Sequence, residues 1–342
     1  MRKVLIIGGT GMISEAITAR LLSDGATEVV HLNRGSKPSP EGVRSIQADR
    51  SDKQSLREAI QSEQPFDCVI DMAAFTAAHA KDAVEVFSGM TKQYLFCSTV
   101  DVYSKNADYY PIDEAHPRKP SLSFPYAYGK REAEDVLLAA YEQQNFPVTI
   151  LRLAQTYGGT SNAIASLGGG EYQMRRLREG RPIIVHGDGS SLWVACHRDD
   201  VAVAFANAIG NKNSIGRAYN VTGEEWMTYN QYWSIVAKAL QAPEPKFVHI
   251  PTDLLQAMLP KRAEWCAENF QNVTIFDNTA ARTDLDFRYS IRWEDGIRAV
   301  INELDLQGSI AGSEERVYYD RLLECWQEQV NRLISELRPY DN

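Results

Sequence analysis

The sequence predicts an α/β protein, a doubly wound parallel sheet with a smaller C-terminal lobe, on two observations. Over roughly the first half of the chain, short apolar segments rich in β-branched residues alternate with segments of helical periodicity. The first predicted strand also runs straight into a glycine-rich turn and a helix. From about residue 160 the alternation loosens, which predicts the separate lobe.

The composition is that of an acidic, water-soluble protein. A chain of 342 residues is long enough for two domains, and 44% hydrophobic with 24% charged residues is ordinary for a globular protein. The net charge of -9 argues against nucleic acid as a partner, because proteins that bind a phosphate backbone usually carry a basic face. No run of 18 apolar residues occurs, so no membrane span is expected. The five scattered cysteines lack CxxC spacing and predict reduced thiols in a cytoplasmic protein.

The glycine-rich turn has the features of a dinucleotide-binding motif. Residues 3–7 (KVLII) form a predicted strand, residues 8–14 are GGTGMIS, and a helix follows. Glycines let the backbone approach a pyrophosphate, which rests on the amide groups of the helix N-terminus. The third glycine position holds Ser14, a small residue that still permits close packing of helix and strand. The predicted cofactor contacts in this segment are Gly8, Thr10, Gly11, Met12 and Ile13.

The second predicted strand bears on the choice between NADP and NAD. Residues 28–32 (EVVHL) are followed by Asn33 and Arg34, about 20 residues past the glycines, where an acid would hold the ribose hydroxyls of NAD. The acid is absent, and a guanidinium can hold a 2′-phosphate with paired hydrogen bonds. Lys37 lies close behind. The alternative is that Arg34 is a solvated loop charge. The sequence therefore favours NADP, with NAD possible.

The alternation of strands and helices continues along the chain. Residues 43–48, 68–72 and 94–98 are predicted strands, and residues 77–87 a helix. The ligand of a doubly wound parallel sheet lies across the carboxyl ends of its strands. Residues that directly follow a strand are therefore expected to contact the cofactor, here Asp49, Arg50, Ala73 and Ala74. These features together predict a Rossmann-type fold.

Five segments resemble the extended short-chain dehydrogenase/reductases, the NAD-dependent epimerase/dehydratase family. They are GGTGMIS, CSTVDVY (97–103), YAYGK (126–130), LRLAQTYGG and GDGSSLWVACHRDDVA, and the resemblance extends from residue 1 to about 305. Within this family the chain most resembles a subgroup that includes chloroplast stem-loop-binding proteins. The segments that carry this resemblance are NRG after the second strand, GDGSSLW and EEWMTYNQ (224–231).

The resemblance implies three catalytic residues, Thr99, Tyr126 and Lys130, the last two of which also contact the cofactor. A free phenol has a pKa of about 10, and a lysine one helical turn later is expected to favour the phenolate. By family resemblance, Lys130 also holds the nicotinamide ribose, and Thr99 hydrogen-bonds the substrate oxygen. The implied reaction is hydride transfer at a secondary alcohol or ketone of a sugar-like or other small hydroxylated substrate, with Tyr126 as acid or base.

Three positions depart from family patterns and are candidate substrate contacts. Asp101 is the last residue of Thr99-Val100-Asp101, where dehydratases of the family have Thr-Asp-Glu. Val100 stands at the position of the dehydratase acid and cannot transfer a proton, which argues against dehydration. Asp101 is then either an extra carboxylate at the substrate or a surface or capping residue. Trp193 replaces an arginine that grips nucleotide diphosphates, and either stacks on the substrate or belongs to the core. Gln155 replaces the usual asparagine after the sixth strand.

A non-catalytic function is the alternative hypothesis. The stem-loop-binding proteins of the resembling subgroup bind RNA, so the chain could be a Rossmann-fold binding or regulatory protein without turnover. The complete trio of Thr99, Tyr126 and Lys130 and the acidic composition favour an enzyme.

We expect residues 1–165 to form a dinucleotide-binding core that residues 198–240 rejoin. Residues 166–197 and 241–342 are expected to form a substrate lobe, with the substrate cleft between the core and this lobe. The resemblance implies a homodimer formed through helices 77–87 and 126–141. No metal site is expected, because His186 and His197 lack further ligands at metal-binding spacing.

Overall fold

A computed structural model describes residues 1–63, 65–161, 166–167 and 169–341. The strands are β1 (Arg2–Ile7), β2 (Thr27–Asn33), β3 (Arg44–Gln47), β4 (Cys68–Asp71), β5 (Tyr94–Thr99), β6 (Val148–Leu153), β7 (Gln155–Tyr157), β8 (Ile183–His186), β9 (Leu192–Trp193), β10 (Ala195–His197), β11 (Ala218–Val221), β12 (Met227–Thr228) and β13 (Phe247–Ile250).

The α-helices are α1 (Met12–Ser23), α2 (Lys53–Ile60), α3 (Ala77–Phe87), α4 (Pro125–Gln144), α5 (Gly170–Arg178), α6 (Arg198–Ala208), α7 (Tyr229–Ala239), α8 (Thr252–Met258), α9 (Thr279–Leu285), α10 (Trp293–Leu306) and α11 (Val317–Leu337). Short 3-10 turns occupy Val100–Val102, Lys212–Ser214 and Arg338–Tyr340, and a π-helical turn occupies Cys266–Phe270.

The central sheet confirms the predicted doubly wound architecture. Seven strands run in the order β11-β6-β5-β4-β1-β2-β3, and every neighbouring pair is parallel. The order reverses beside β1, as in a Rossmann-type fold, so the carboxyl ends of β1, β2 and β4 open a crevice where ligands bind.

Both faces of the central strand β1 are buried, which explains its continuous apolar composition. On β1, Val4 and Ile6 pack into a core that includes residues of α1 and α6. Leu5 and Ile7 point to the opposite face and pack into a second core with residues of α2, α3 and α4. All four side chains have 0% exposure, because successive residues of a strand alternate between two covered faces.

The chain forms two units. One comprises residues 1–163, 192–227 and 272–296, and the other residues 164–191, 228–271 and 297–342. Residues 272–296 belong to the first unit, so they interrupt the expected lobe of 241–342. The Asn278 side chain hydrogen-bonds the backbone and the hydroxyl of Thr222, which ties residues 272–296 to the end of β11. Helix α7, expected in the core, falls in the second unit. The expected boundary after residue 165 lies outside the described residues.

In the second unit, helix α11 packs through its first turns. Tyr319 is buried, and its hydroxyl accepts a hydrogen bond from the Ile184 amide at 2.6 Å. Arg176 and Arg181 each pair with Asp320 at 2.7 Å. Leu333 and Leu337 are more than half exposed, so the apolar side chains of α11 are only partly covered within the described chain.

Over the residues described, the helices are too short or too polar for any to cross a bilayer. Four of the cysteines, Cys68, Cys97, Cys196 and Cys266, are buried free thiols, and Cys325 is a half-buried one.

Candidate active site

A cavity of about 420 Å³ lies at the carboxyl ends of β1, β2 and β4, where the fold places a ligand. Most of the residues expected to bind the cofactor line it, namely Gly8, Thr10, Gly11, Asn33, Arg34, Lys37, Asp49, Arg50 and Ala73. Met12 and Ile13 form the adjoining first turn of α1, and the next expected contact, Ala74, is fully buried. Residues distant in sequence thus converge on one cavity.

The glycine turn has the geometry of a phosphate cradle. A Cβ added to Gly9 would lie 2.3 Å from the His31 ring, so packing alone requires that glycine. A Cβ added to Gly11 would meet only ordinary contacts, the nearest being Ser14 Oγ at 3.6 Å. Gly11 is therefore not required by packing but leaves the backbone open to a ligand, the role of the second glycine in dinucleotide sites.

The start of α1 is suited to an anion. None of the described side chains caps the helix at Gly11, and the first amide groups of any α-helix lack intrahelical partners. Ser14, at the third glycine position, donates its hydroxyl proton to the Gly8 carbonyl at 2.7 Å and so fixes the turn. The residues present therefore fit a dinucleotide pyrophosphate.

The rim of the cavity is basic beyond β2. Arg34 and Lys37 are exposed there, and within the described chain neither has an ion-pair partner. The side-chain amide nitrogen of Asn33 is buried without a hydrogen-bond partner among the described residues. Unsatisfied buried donors are rare in folded proteins, and one at a cavity wall points to a ligand acceptor.

Arg50 lines the cavity and is held by the protein through one of its three guanidinium nitrogens. Its Nη2 donates to Asp71 Oδ2 at 2.8 Å and to the His79 carbonyl at 2.7 Å. Its Nε and Nη1 are buried without a hydrogen-bond partner among the described residues. Asp71 also accepts the Tyr94 hydroxyl at 2.6 Å. Arg50 is thus a wall residue whose charge is balanced by Asp71 and whose Nε and Nη1 remain available to a ligand.

The three candidate catalytic residues lie together at the end of β5. Thr99 is the last residue of β5, and its hydroxyl hydrogen-bonds Tyr126 in the first turn of α4. The Lys130 ammonium, one turn later, donates to the carbonyls of Ala74 at 2.8 Å and Cys97 at 2.6 Å. Because an ammonium has three donors, one remains for a ligand.

Phe75 connects these residues with the cavity. It lines the cavity, its ring centroid is 6.4 Å from that of Tyr126, and the Lys130 nitrogen lies 4.5 Å from its centroid. The sequence reasoning did not assign Phe75, Ser36, Ser51 or His79 to the site, although all four line the cavity. The sequence signal that could have indicated these four residues is their position in the segments that follow β2, β3 and β4.

The protonation of the site differs from the expectation. Burial, then the charge of Asp101, then the Cys97 thiol raise the pKa of Tyr126, and only the hydrogen bond with Thr99 lowers it. Burial lowers the pKa of Lys130. Lys130 was expected to lower the pKa of the phenol, but its ammonium is directed to two backbone carbonyls, and the net shift of Tyr126 is upward.

A buried ion pair holds α4 against the sheet. Glu134 lies one turn beyond Lys130 and pairs with Arg152 of β6 at 2.7 Å, with side-chain exposures of 0% and 2%. Ser98 donates to Glu134 at 2.5 Å, and Arg118 approaches it at 3.0 Å. The contacts join α4 to β5 and β6, and so fix the helix face that carries Tyr126 and Lys130.

The candidate substrate residues have different surroundings. Asp101 is 5% exposed and hydrogen-bonds Thr99, which rules out the surface alternative. Trp193 is 3% exposed and packs edge-on against Trp293 with centroids 6.0 Å apart, which favours the core alternative over stacking on a substrate. Gln155 is half-buried in β7, paired with Ala195. Within the described chain, no three His, Cys, Asp or Glu side chains gather as a metal site.

Comparison with known proteins identifies the family. The model of the "NAD dependent epimerase/dehydratase family" matches residues 4–222. The chain belongs to this family.

Two curated relatives of this epimerase/dehydratase chain carry different functional names. It is 28% identical over 264 residues to the chloroplast stem-loop binding protein of 41 kDa b from Arabidopsis thaliana, a match that covers 72% of this chain and 66% of the relative, just under two thirds. It is 25% identical over 280 residues to the 2'-dehydrokanamycin reductase of Streptomyces kanamyceticus, covering 81% of this chain and 74% of that one.

Among solved structures, an epimerase from Methanothermobacter thermautotrophicus superposes with a TM-score of 0.74. The match covers 91% of this chain and 95% of that chain at 17% sequence identity, and it establishes the shared fold.

Proposed function

We propose that the protein is an enzyme that uses a nicotinamide dinucleotide to move hydride at a secondary alcohol or carbonyl carbon of a small hydroxylated substrate. The observation that carries this proposal is the convergence of Thr99, Tyr126 and Lys130 beside a cavity that fits a dinucleotide. Membership of the epimerase/dehydratase family supports it.

The described residues divide the work of such a reaction. When bound, the nicotinamide group supplies or accepts the hydride. The first turn of α1 and the backbone at Gly11 hold the pyrophosphate, and the remaining donor of Lys130 is available to a ribose hydroxyl. Tyr126 gives a proton to the substrate oxygen or takes one from it, with Thr99 beside it.

The proposed cofactor preference is for NADP. Arg34 and Lys37 stand at the rim of the cavity, and among the described residues neither is engaged in an ion pair that a 2′-phosphate would have to break. Isothermal calorimetry with NADP and NAD tests this preference. Arg34→Ala should remove roughly tenfold or more of the NADP affinity, the scale of one charge-assisted contact, and leave NAD affinity near the native value.

Arg20→Ala is the matched control for that experiment. Arg20 is an exposed arginine of α1 outside the cavity lining, so its removal changes net charge by the same amount without touching the rim. Equal affinities of the native protein for NADP and NAD would reject the NADP preference. Equal losses of NADP affinity in Arg34→Ala and Arg20→Ala would show that the preference is an effect of net charge.

The proposal includes two outcomes of hydride transfer. One is epimerisation, and the other is net reduction or oxidation of the substrate. Dehydration is disfavoured because Val100, at the position of the dehydratase acid, is an apolar residue packed in a hydrophobic cluster. A relative named as a reductase of 2'-dehydrokanamycin favours net reduction. The cofactor carried through purification distinguishes the outcomes: an epimerase should retain it tightly in oxidised form, and a reductase should exchange it.

The function is tested by following nicotinamide absorbance while the cofactor-loaded protein meets a panel of hydroxylated and carbonyl compounds. Hydride transfer to or from any of them, abolished by Tyr126→Phe, supports the proposal. A protein that binds neither cofactor in calorimetry would overturn it.

A second candidate is RNA binding without turnover, favoured by the name of the stem-loop-binding relative. The net charge of -9 opposes it, because RNA affinity depends on cations that neutralise phosphates. Gel-shift titration with a stem-loop RNA at physiological salt separates the two: tight binding that cofactor does not displace would favour this candidate.

A further inference from the structure

Arg50 carries unused hydrogen-bond donors at the wall of the cofactor cavity. The residue is 5% exposed and belongs to the cavity lining. Its Nε and Nη1 are buried and have no hydrogen-bond partner among the described residues. A guanidinium has five N–H donors and no acceptor, and these two nitrogens carry three of the five. Buried donors in folded proteins almost always meet an acceptor, and at a cavity wall the occupant of the cavity can supply one.

The third nitrogen of Arg50 fixes the side chain in place. Nη2 donates to Asp71 Oδ2 at the end of β4 and to the His79 carbonyl in α3. Asp71 is itself held, because it accepts the Tyr94 hydroxyl at 2.6 Å and the Ala73 amide at 2.9 Å. The guanidinium is therefore oriented before a ligand binds, so a ligand that meets Nε or Nη1 loses little free energy to ordering this side chain.

The position of Arg50 along the sheet points to the adenosine half of the cofactor. Neighbouring strands follow the order β5-β4-β1-β2-β3. In the proposed function, the reacting nicotinamide lies toward β5, beside Tyr126 and Lys130, and the pyrophosphate lies at the start of α1, which follows β1. The adenosine half then lies toward β2 and β3, and Arg50 is in the segment that follows β3.

This end of the cavity contains a further unused donor. The Ala48 amide hydrogen-bonds the backbone carbonyl of Asn33 at 3.0 Å, which places the segments after β2 and β3 side by side. The side-chain nitrogen of Asn33 is buried and, within the described chain, also lacks a hydrogen-bond partner. Asn33 and Arg50 both line the cavity. A group that satisfies these donors must offer acceptors.

An uncharged acceptor suits Arg50 better than a phosphate does. The charge of Arg50 is already balanced by Asp71 at 2.8 Å, and burying another anion beside that pair would cost desolvation. The 2′-phosphate of NADP has exposed cations at the rim, Arg34 and Lys37. The ring nitrogens of a purine are uncharged acceptors on a flat ring. The cavity lining includes apolar side chains that can pack against such a ring, those of Ile7, Leu32, Ala48 and Ala73.

We propose that Arg50 is a specificity-determining residue that donates from Nε or Nη1 to a ring nitrogen of the adenine base, while Asp71 and the His79 carbonyl hold its Nη2. The inference rests on the proposed function, because it takes the cavity as the site of a nicotinamide dinucleotide. It adds to that function the side chain by which the cavity recognises the base.

Arg50→Lys tests this contact, because lysine keeps a positive charge beside Asp71 and removes Nε and Nη1. Isothermal calorimetry should show that the variant binds NADP and NAD about tenfold or more weaker than the native protein, the scale of one hydrogen bond to a charged group. The two dinucleotides should lose affinity by the same factor, because both carry adenine. Nicotinamide mononucleotide, which lacks the adenosine half, should bind the variant and the native protein alike.

Arg44→Lys is the matched control. Arg44 pairs with Glu63 at 2.7 Å and is outside the cavity lining, so the same substitution there should leave all three affinities at the native values. Circular dichroism confirms that each variant is folded. If Arg50→Lys does not fold, Arg50→Met combined with Asp71→Asn removes both charges of the pair together and leaves no unbalanced buried charge. The same pattern of affinities is expected of that double variant.

Three results would overturn the base contact. The first is a variant that binds NAD with native affinity. The second is a loss confined to NADP, which would assign the donors of Arg50 to the 2′-phosphate. The third is a loss that extends to nicotinamide mononucleotide, which would show that Arg50 only supports the segment at residues 71–79.

The same titrations separate this inference from the proposed function. A native protein that binds neither dinucleotide would overturn the proposed function and the role of Arg50 with it. Native binding of both dinucleotides that Arg50→Lys leaves unchanged would overturn the role of Arg50 alone.

Discussion

Gly9 and Gly11 are neighbours in one turn, but they are glycines for different reasons. A methyl group at Gly9 would collide with the His31 ring, whereas one at Gly11 would make only ordinary contacts with Ser14 Oγ and the Gly8 carbonyl oxygen. Gly11→Ala should therefore fold with a melting temperature near the native one and lose about tenfold or more of its cofactor affinity. Gly9→Ala should lower the melting temperature.

Thermal unfolding and calorimetric titration of the two variants check this contrast. A Gly11→Ala protein that binds both cofactors with native affinity would mean that the pyrophosphate does not approach this backbone.

At the scale of single residues, spacing predicted which side chains share a helix face but not their surroundings. Tyr126 and Lys130 are one helical turn apart in the sequence, and a helix brings them to one face. The carbonyls that hold Lys130 come from Ala74 and Cys97, 56 and 33 residues away in the chain. The upward shift in the pKa of Tyr126 arises from such tertiary neighbours, so the spacing could not reveal it.

At the scale of elements, the orientation of α4 depends on the buried pair of Glu134 and Arg152. Glu134→Gln should destabilise the protein by about 3–5 kcal/mol, because Arg152 would remain buried with an unbalanced charge. The control is Glu132→Gln, a half-buried glutamate two residues earlier on the same helix, expected to change stability by about 0.5 kcal/mol or less.

Urea denaturation of both variants measures the difference in the free energy of unfolding. Equal, small losses would show that the buried pair does not hold the helix in place.

The long elements of the core were predictable and the short ones were not. Helix α3 has its predicted bounds, because an apolar face repeats with helical spacing and Thr76 caps its start. Strands β7 and β10 have three residues each and, among the residues described, pair with each other alone, so neither carries a period that sequence can reveal. The hydrogen bond from the Ser14 hydroxyl to the Gly8 carbonyl was likewise not predictable, because it forms only in the folded turn.

At the scale of the whole molecule, we propose a homodimer through α3 and α4. A groove of about 460 Å³ runs along these helices, lined in part by Val84, Val136, Ala139 and Ala140. A second copy presenting the same two helices would cover the groove in a four-helix arrangement. Multi-angle light scattering at micromolar concentration should give twice the 38.4 kDa chain mass.

Ala139→Arg should shift that mass to one chain, because a guanidinium would have to be buried in the interface. A native protein that scatters as a monomer would contradict the dimer.

The central claim is that Tyr126 exchanges a proton with the substrate while hydride moves. The most direct measurement is single-turnover hydride transfer, followed by nicotinamide absorbance, with the substrate that the compound panel identifies. Tyr126→Phe removes only the phenol oxygen and should slow the step about 100-fold or more, the scale of general acid–base catalysis, while cofactor affinity stays near the native value. Tyr128→Phe, on the same helix, should react at the native rate. Native turnover by Tyr126→Phe would contradict the account.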